Sequence, residues 1–163
     1  YYDYNQKLVI KLNYIEIGVL SKATLYYADG SIKAEGTYVD KLKNGLWRYY
    51  SVDGIKTSEE NFFNNELHGE CIYFFENGEI AEQLNYIHGL KEGETKRFYK
   101  TGFLNMHASY HKGELHGMAQ FYYDKLSQLE AKGRYNFGFK DSVWIFFNAE
   151  GDTLRFLDYS LKK

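Results

Sequence analysis

Proline is absent from the 163 residues, and cysteine occurs once, at Cys71. Without proline, nothing in the chain removes the backbone N–H donors that a sheet ladder uses. One cysteine allows neither an intramolecular disulfide nor a cysteine-based metal motif. Long apolar runs are missing too: none approaches the ~18 residues that a membrane-spanning helix requires. An excess of either charge is also lacking, with 20 Lys and Arg against 22 Asp and Glu and a formal net charge of −2. That balance argues against a nucleic-acid partner, because phosphate binding wants a basic patch. It also limits membrane contact to a peripheral one or one made through a partner, because anionic headgroups attract Lys and Arg.

Aromatic residues are plentiful. They make up 19% of the chain, mainly as 17 Tyr and 12 Phe, while the mean hydropathy is −0.55. A polar chain with large flat side chains at intervals suits a pleated sheet with partly wet faces better than a thick aliphatic core.

The intervals are regular. Gly30, Gly54, Gly78 and Gly102 are 24 residues apart, as are Gly45, Gly69, Gly93 and Gly117. One inserted residue near Leu126 shifts the register, after which Gly151 takes the next turn position. Two aromatic ladders keep the same step. One is Tyr2, Tyr26, Tyr50, Phe74, Phe98, Tyr122 and Phe147; the other is Tyr14, Tyr38, Phe62, Tyr86, Tyr110, Tyr135 and Tyr159. Both reach the chain ends, so residues 1–163 read as one array of about six and a half repeats with a divergent N-terminal repeat and no domain boundary.

Within a repeat, Asp53-Gly54 separates two aromatic and β-branched runs in residues 45–69, which predicts a hairpin closed by the polar loop Asn64 to Gly69. After the turn glycine the alternation has period two. Ala34, Gly36 and Tyr38 share one face and Lys33, Glu35 and Thr37 the other, as in a half-buried strand. The predicted fold is all-β: one elongated, twisted antiparallel sheet of consecutive hairpins, extending roughly 65 Å at ~4.8 Å per strand. Gly30, Gly54, Gly78, Gly102 and Gly151 are the expected turn residues with positive φ.

The recurring Gly-x-x-His/Glu-Gly element, followed by a hydrophobic–aromatic strand and an Asp-Gly or Asn-Gly turn, resembles the MORN repeat, in its bacterial variant form. The match is carried by Asn44-Gly45-Leu46-Trp47 with Asp53-Gly54, His68-Gly69 with Asn77-Gly78, Gly89 to Gly93, and Gly113 to Gly117. The pattern is broken at Leu126, where the turn glycine is missing, and at Ser142, where the loop glycine is missing. The resemblance implies a non-catalytic interaction scaffold. It also implies an antitoxin-like alternative, since many bacterial variant-repeat proteins carry that label.

Chemistry is sparse by comparison. His68 and His116 hold the same loop position two repeats apart, roughly 20 Å by strand spacing, and cannot share an ion. His107 and His111 share a strand face without a third ligand. Glu59 and Glu60 point to opposite faces. Glu35 and Glu59 sit roughly 10 Å apart, wide for a glycosidase pair. Cys71 has no basic partner in its repeat and reads as a small buried hydrophobe. No metal, cofactor or catalytic residue is expected.

The remaining candidate is surface. If both ladders form the buried side, Tyr49, Tyr73, Phe75, Tyr99, Phe121, Tyr123 and Phe146 form an aromatic recognition band opposite them; bulges or sheet coiling would instead bury both faces. The sheet edges are further candidates. Residues 1–13 are guarded only by Lys7 and Lys11, residues 156–163 by Lys162 and Lys163. The start at Tyr1, inside a repeat and without Met, reads as that of a processed, trimmed or partial chain; removal of an export signal is one explanation, and it slightly favours the bacterial cell envelope over the cytoplasm. The expected function is binding of another protein, as a scaffold or accessory subunit of a larger assembly, with toxin neutralisation by direct binding as the alternative.

Overall fold

The computed structural model describes residues 1, 2, 4, 7–16 and 19–160. They form a 14-stranded antiparallel sheet in which strands pair in chain order. The strands are β1 (Ile10–Glu16), β2 (Leu20–Tyr26), β3 (Ile32–Val39), β4 (Leu42–Tyr50), β5 (Lys56–Phe63), β6 (Glu66–Phe74) and β7 (Ile80–Ile87). They continue as β8 (Leu90–Phe98), β9 (Leu104–His111), β10 (Glu114–Leu115), β11 (Gly117–Tyr122), β12 (Leu129–Asn136), β13 (Phe139–Phe147) and β14 (Thr153–Asp158). Strands β10 and β11 both pair with β9 and form one broken strand. The outermost strands are β1 and β14; Lys162 and Lys163 lie outside the described residues.

The two glycine series do different work. Gly30, Gly54, Gly78, Gly102 and Gly151 have φ between 79° and 93°, and each donates its N–H back three residues to close a wide turn. These turns line one long edge of the sheet. The opposite edge carries two-residue turns with both residues at positive φ: Asp40-Lys41, Asn64-Asn65, His88-Gly89, Lys112-Gly113 and Phe137-Gly138. Such turns match the strand twist. The predicted loop from Asn64 to Gly69 is therefore shorter than expected: only Asn64 and Asn65 turn, and β6 begins at Glu66. Gly69 sits inside that strand, next to a register shift against β5, because φ of +97° is available to it. Gly45 and Gly93 hold matching positions in β4 and β8, and Gly117 begins β11. Ser142, at φ 59°, takes the place of the missing glycine. The carbonyls of Lys43, Leu67, Lys91 and Leu115, two residues before these glycines, accept the N–H of the next tight turn at 2.9–3.0 Å. Each repeat is thereby tied to its neighbour.

The two aromatic ladders lie on opposite faces, contrary to the expectation that they share one. Cross-strand pairing puts Ala34, Tyr49, Ser58 and Tyr73 in one row on the front face. Tyr38 and Phe62 pack on that face with buried Trp47. Tyr50 is adjacent to Tyr49, so it points back, where its hydroxyl meets Glu35. The cause is a bulge near every wide turn, as between Tyr49 and Tyr50, which breaks the count of two between the ladders.

The core belongs to the front face. Trp47 packs with Ala23, Ala34, Tyr38, Tyr49 and Phe62 at one end. Trp144 packs with Met106, Ala108, Ala119, Ala131, Phe121, Tyr135 and Phe146 towards the other. A single layer buries these indoles by laying neighbouring side chains over them. Tyr38 meets Trp47 edge-on at 5.0 Å and Tyr135 meets Trp144 at 5.1 Å. The ammonium groups of Lys43 and Lys140 cover the same rings at 4.8 and 4.2 Å. Beneath each indole lies a glycine: a Cβ on Gly36 would come within 2.2 Å of Trp47, and one on Gly133 within 2.3 Å of Trp144.

Candidate interaction surface

The aromatic residues expected to form a recognition band divide into two groups. Tyr49, Phe121 and Phe146 pack against the front-face clusters. Tyr73 shares their row, and burial raises its hydroxyl pKa far above the usual tyrosine range. These four are half-buried packing residues. Phe75, Tyr99 and Tyr123 lie at the wide turns, where the Tyr99 and Tyr123 hydroxyls donate to the carbonyls of Tyr122 and Phe147 at 2.8 Å. These two hydroxyls clasp one repeat to the next, as Tyr27 does with Tyr50, while the Lys100 ammonium lies over the Phe75 ring at 6.0 Å.

The other chemistry-bearing residues are separated or neutralised. Arg48 stands between Glu35 and Glu59 in register. Lys56 and Arg48 hold Glu59 at 2.9 and 3.3 Å, which draws its pKa below the usual carboxylate range, the Lys56 hydrogen bond first. Cys71 is fully buried, and burial pushes its thiol pKa up, away from thiolate reactivity. No group of three or more metal-ligating side chains comes together among the described residues.

What the fold does assemble is a strip on the back face along the tight-turn edge. The residues flanking each turn point backwards there, because their neighbours Phe62 and Tyr86 point to the front. Exposed apolar side chains follow: Phe63 (50%), Ile87 (50%), Leu90 (52%), Met118 (61%) and Phe139 (79%). Leu46 and Val143 extend the strip at its two ends.

Between them run imidazoles that the folded chain brings together across repeats. His68 lies edge-on to His88 at 5.2 Å and beside Phe63 at 6.0 Å. His111 and His116 are 5.9 Å apart, and Phe137 covers His116 at 4.6 Å. Glu66 pairs with His88 at 3.2 Å and Glu92 with His111 at 2.9 Å. Glu92 also accepts the Lys112 N–H, and that bond, followed by His111, lowers its pKa. The pairings considered from residue order, His68 with His116 and His107 with His111, are not the ones that the fold brings together. The missed signal was the flank of each tight turn: an apolar residue next to the turn, on the polar-facing side of its strand.

The fold is an open array of antiparallel hairpins, one repeat feeding the next, with the strip running across them. Residues 22–40 and 67–88 match the family model described as MORN repeat variant. The chain thus carries two stretches of the MORN repeat variant type. No curated protein matches it. Among solved structures, a chain of the Glycosylation Associate Protein (Gap123) complex from Streptococcus agalactiae is similar at 14% identity and a TM-score of 0.35. The match covers 76% of this chain and 21% of that one, so this chain spans about a fifth of its length.

Proposed function

We propose that this protein is a non-catalytic repeat scaffold that binds another protein through the back-face strip, as an accessory subunit of a larger assembly. The observation that carries the reading is the run of exposed apolar side chains on successive hairpins of a single-layer sheet. Exposed apolar side chains aligned in this way mark contact sites. The repeat architecture supports it, since stacked repeats build extended binding surfaces whose side chains vary from unit to unit.

The test replaces Phe63, Leu90 and Phe139 by Ser and captures partners from the native host. All three side chains are about half exposed or more, so the variant is expected to keep its circular dichroism spectrum and lose the captured protein. Unchanged capture by the folded triple variant would move the binding site off the strip. If the captured protein is a toxin whose activity the capture suppresses, the scaffold acts as an immunity protein by the same direct binding.

A further inference from the structure

We infer that the strip on β5–β11 takes one amphipathic α-helix of a partner protein, lying across the strands with Lys or Arg flanking its apolar seam. This rests on the scaffold reading and adds the occupant's chemistry.

Spacing is the first argument. Phe63 and Ile87 hold the same place at the ends of β5 and β7, and His111, an imidazole paired with Glu92, holds it in β9, so this line of side chains recurs about every 10 Å across the sheet. Leu90 faces Ile87 across its tight turn and widens the middle anchor. An α-helix returns one side chain to the same line every seven residues, about 10.5 Å along its axis. A helix lying across the strands can therefore place i, i+7 and i+14 on three successive anchors, with i+3 and i+4 filling between. An extended strand would need a step of about three residues, and odd offsets point to opposite faces. Sheet twist sets the length: over more than about three hairpins the anchors spiral away from a straight axis. The occupant is thus roughly four turns long.

Charge is the second argument. Glu66, Glu70 and Glu114 are exposed on the strands that carry or adjoin these anchors, and the Glu94 side chain is 72% exposed. The basic groups nearby are Lys96, in the neighbouring row beside Gln83 and His107, Lys112 in the turn, Arg48, which is held by Glu59, and Arg134, which stands opposite Met118 at the β12 end of the strip. An acidic border around an apolar line suits a basic-flanked helix and repels an anionic bilayer. A proline-rich peptide would need donors for its bare carbonyls, and carboxylates supply only acceptors.

The experiment uses the full chain and three synthetic peptides of about 21 residues, long enough for three heptads. One carries Leu along a heptad seam with Lys on both flanks, one has the same composition scrambled, and one has Glu in place of Lys. The expected result is that the Leu/Lys peptide binds at least about tenfold more tightly than either control and gains helicity on binding. Leu90→Glu, and separately the pair Glu70→Lys and Glu94→Lys, weaken it by a similar factor, with the circular dichroism of the protein unchanged. Equal binding of the scrambled peptide, or none by the Leu/Lys peptide, overturns the inference. So does binding of phosphatidylserine vesicles in preference to any peptide. Host-partner capture that still depends on Phe63, Leu90 and Phe139 while the Leu/Lys peptide fails would remove the helix and keep the scaffold; loss of that dependence would remove the scaffold reading itself.

Discussion

At the scale of single residues, the sheet is held by fits between side chains that lie one strand apart. Where β4 and β13 carry a tryptophan, the strand before supplies glycine. At the corresponding site in β11 the residue is Ala119, and Ala108 faces it from β9. Bulk on one strand is matched by its absence on the next. Gly36→Ala should force Trp47 from its seat and cost about 1–3 kcal/mol, as overpacked cores do. Trp47→Ala should be costly alone, and the double variant should be less damaged than the two costs added. Denaturant titration of all three proteins tests this, and simple additivity would show that the ring and the glycine are independent.

The half-buried tyrosines report on the same packing. Burial raises the pKa of Tyr38, Tyr49, Tyr73 and Tyr135. Their neutral forms are favoured in the folded state, so this contribution to stability is complete below the ordinary value of about 10 and disappears as pH rises through the folded values. Tyrosinate absorbance should therefore lag in the native protein above about pH 10 and jump on alkaline unfolding. A titration identical in native and urea-unfolded protein would contradict the burial.

At the scale of elements, the turns decide register. Gly78 has φ +85°, and nothing lies within 4 Å of the point where a methyl group would stand, so Gly78→Ala is a test of conformation alone. It should destabilise by about 1 kcal/mol or more. Lys41 holds φ +67° in a tight turn without glycine's freedom. Lys41→Gly should stabilise by about 0.5–1 kcal/mol, since three of the other four tight turns already have glycine in that place. Thermal melts of both variants check the signs; a shift in the same direction for both would refute the turn geometry.

At the scale of the molecule, the two tryptophan clusters stand at different distances from the middle of the array. The strands between them bury smaller groups, namely Ser58, Cys71, Leu84 and Thr95. Stability in such arrays is a sum of repeat and neighbour terms, so the two clusters should not melt as one. Single-tryptophan variants, Trp144→Phe reporting Trp47 and Trp47→Phe reporting Trp144, should give urea transitions with different midpoints. Coincident transitions would make the sheet one cooperative unit.

The repeat itself was legible from residue order, because turns are local. A glycine every 24 residues and strands of period two need only a few neighbours in the chain to act, and they define the hairpins, their order and the antiparallel sheet. The side on which each aromatic lies was not legible. Bulges beside the wide turns and at Gly69 interrupt the alternation, and their positions are set by how each strand pairs with both of its neighbours. Tyr49 and Tyr73 thus belong to the packed front, and the exposed strip falls to Phe63, Ile87, Leu90 and Met118. The pairs His68–His88 and His111–His116 were equally out of reach, since their geometry depends on how one turn docks onto the strand before it. Local conformation wrote the array into the sequence; faces and surface were decided only when hydrogen bonds between strands fixed the register.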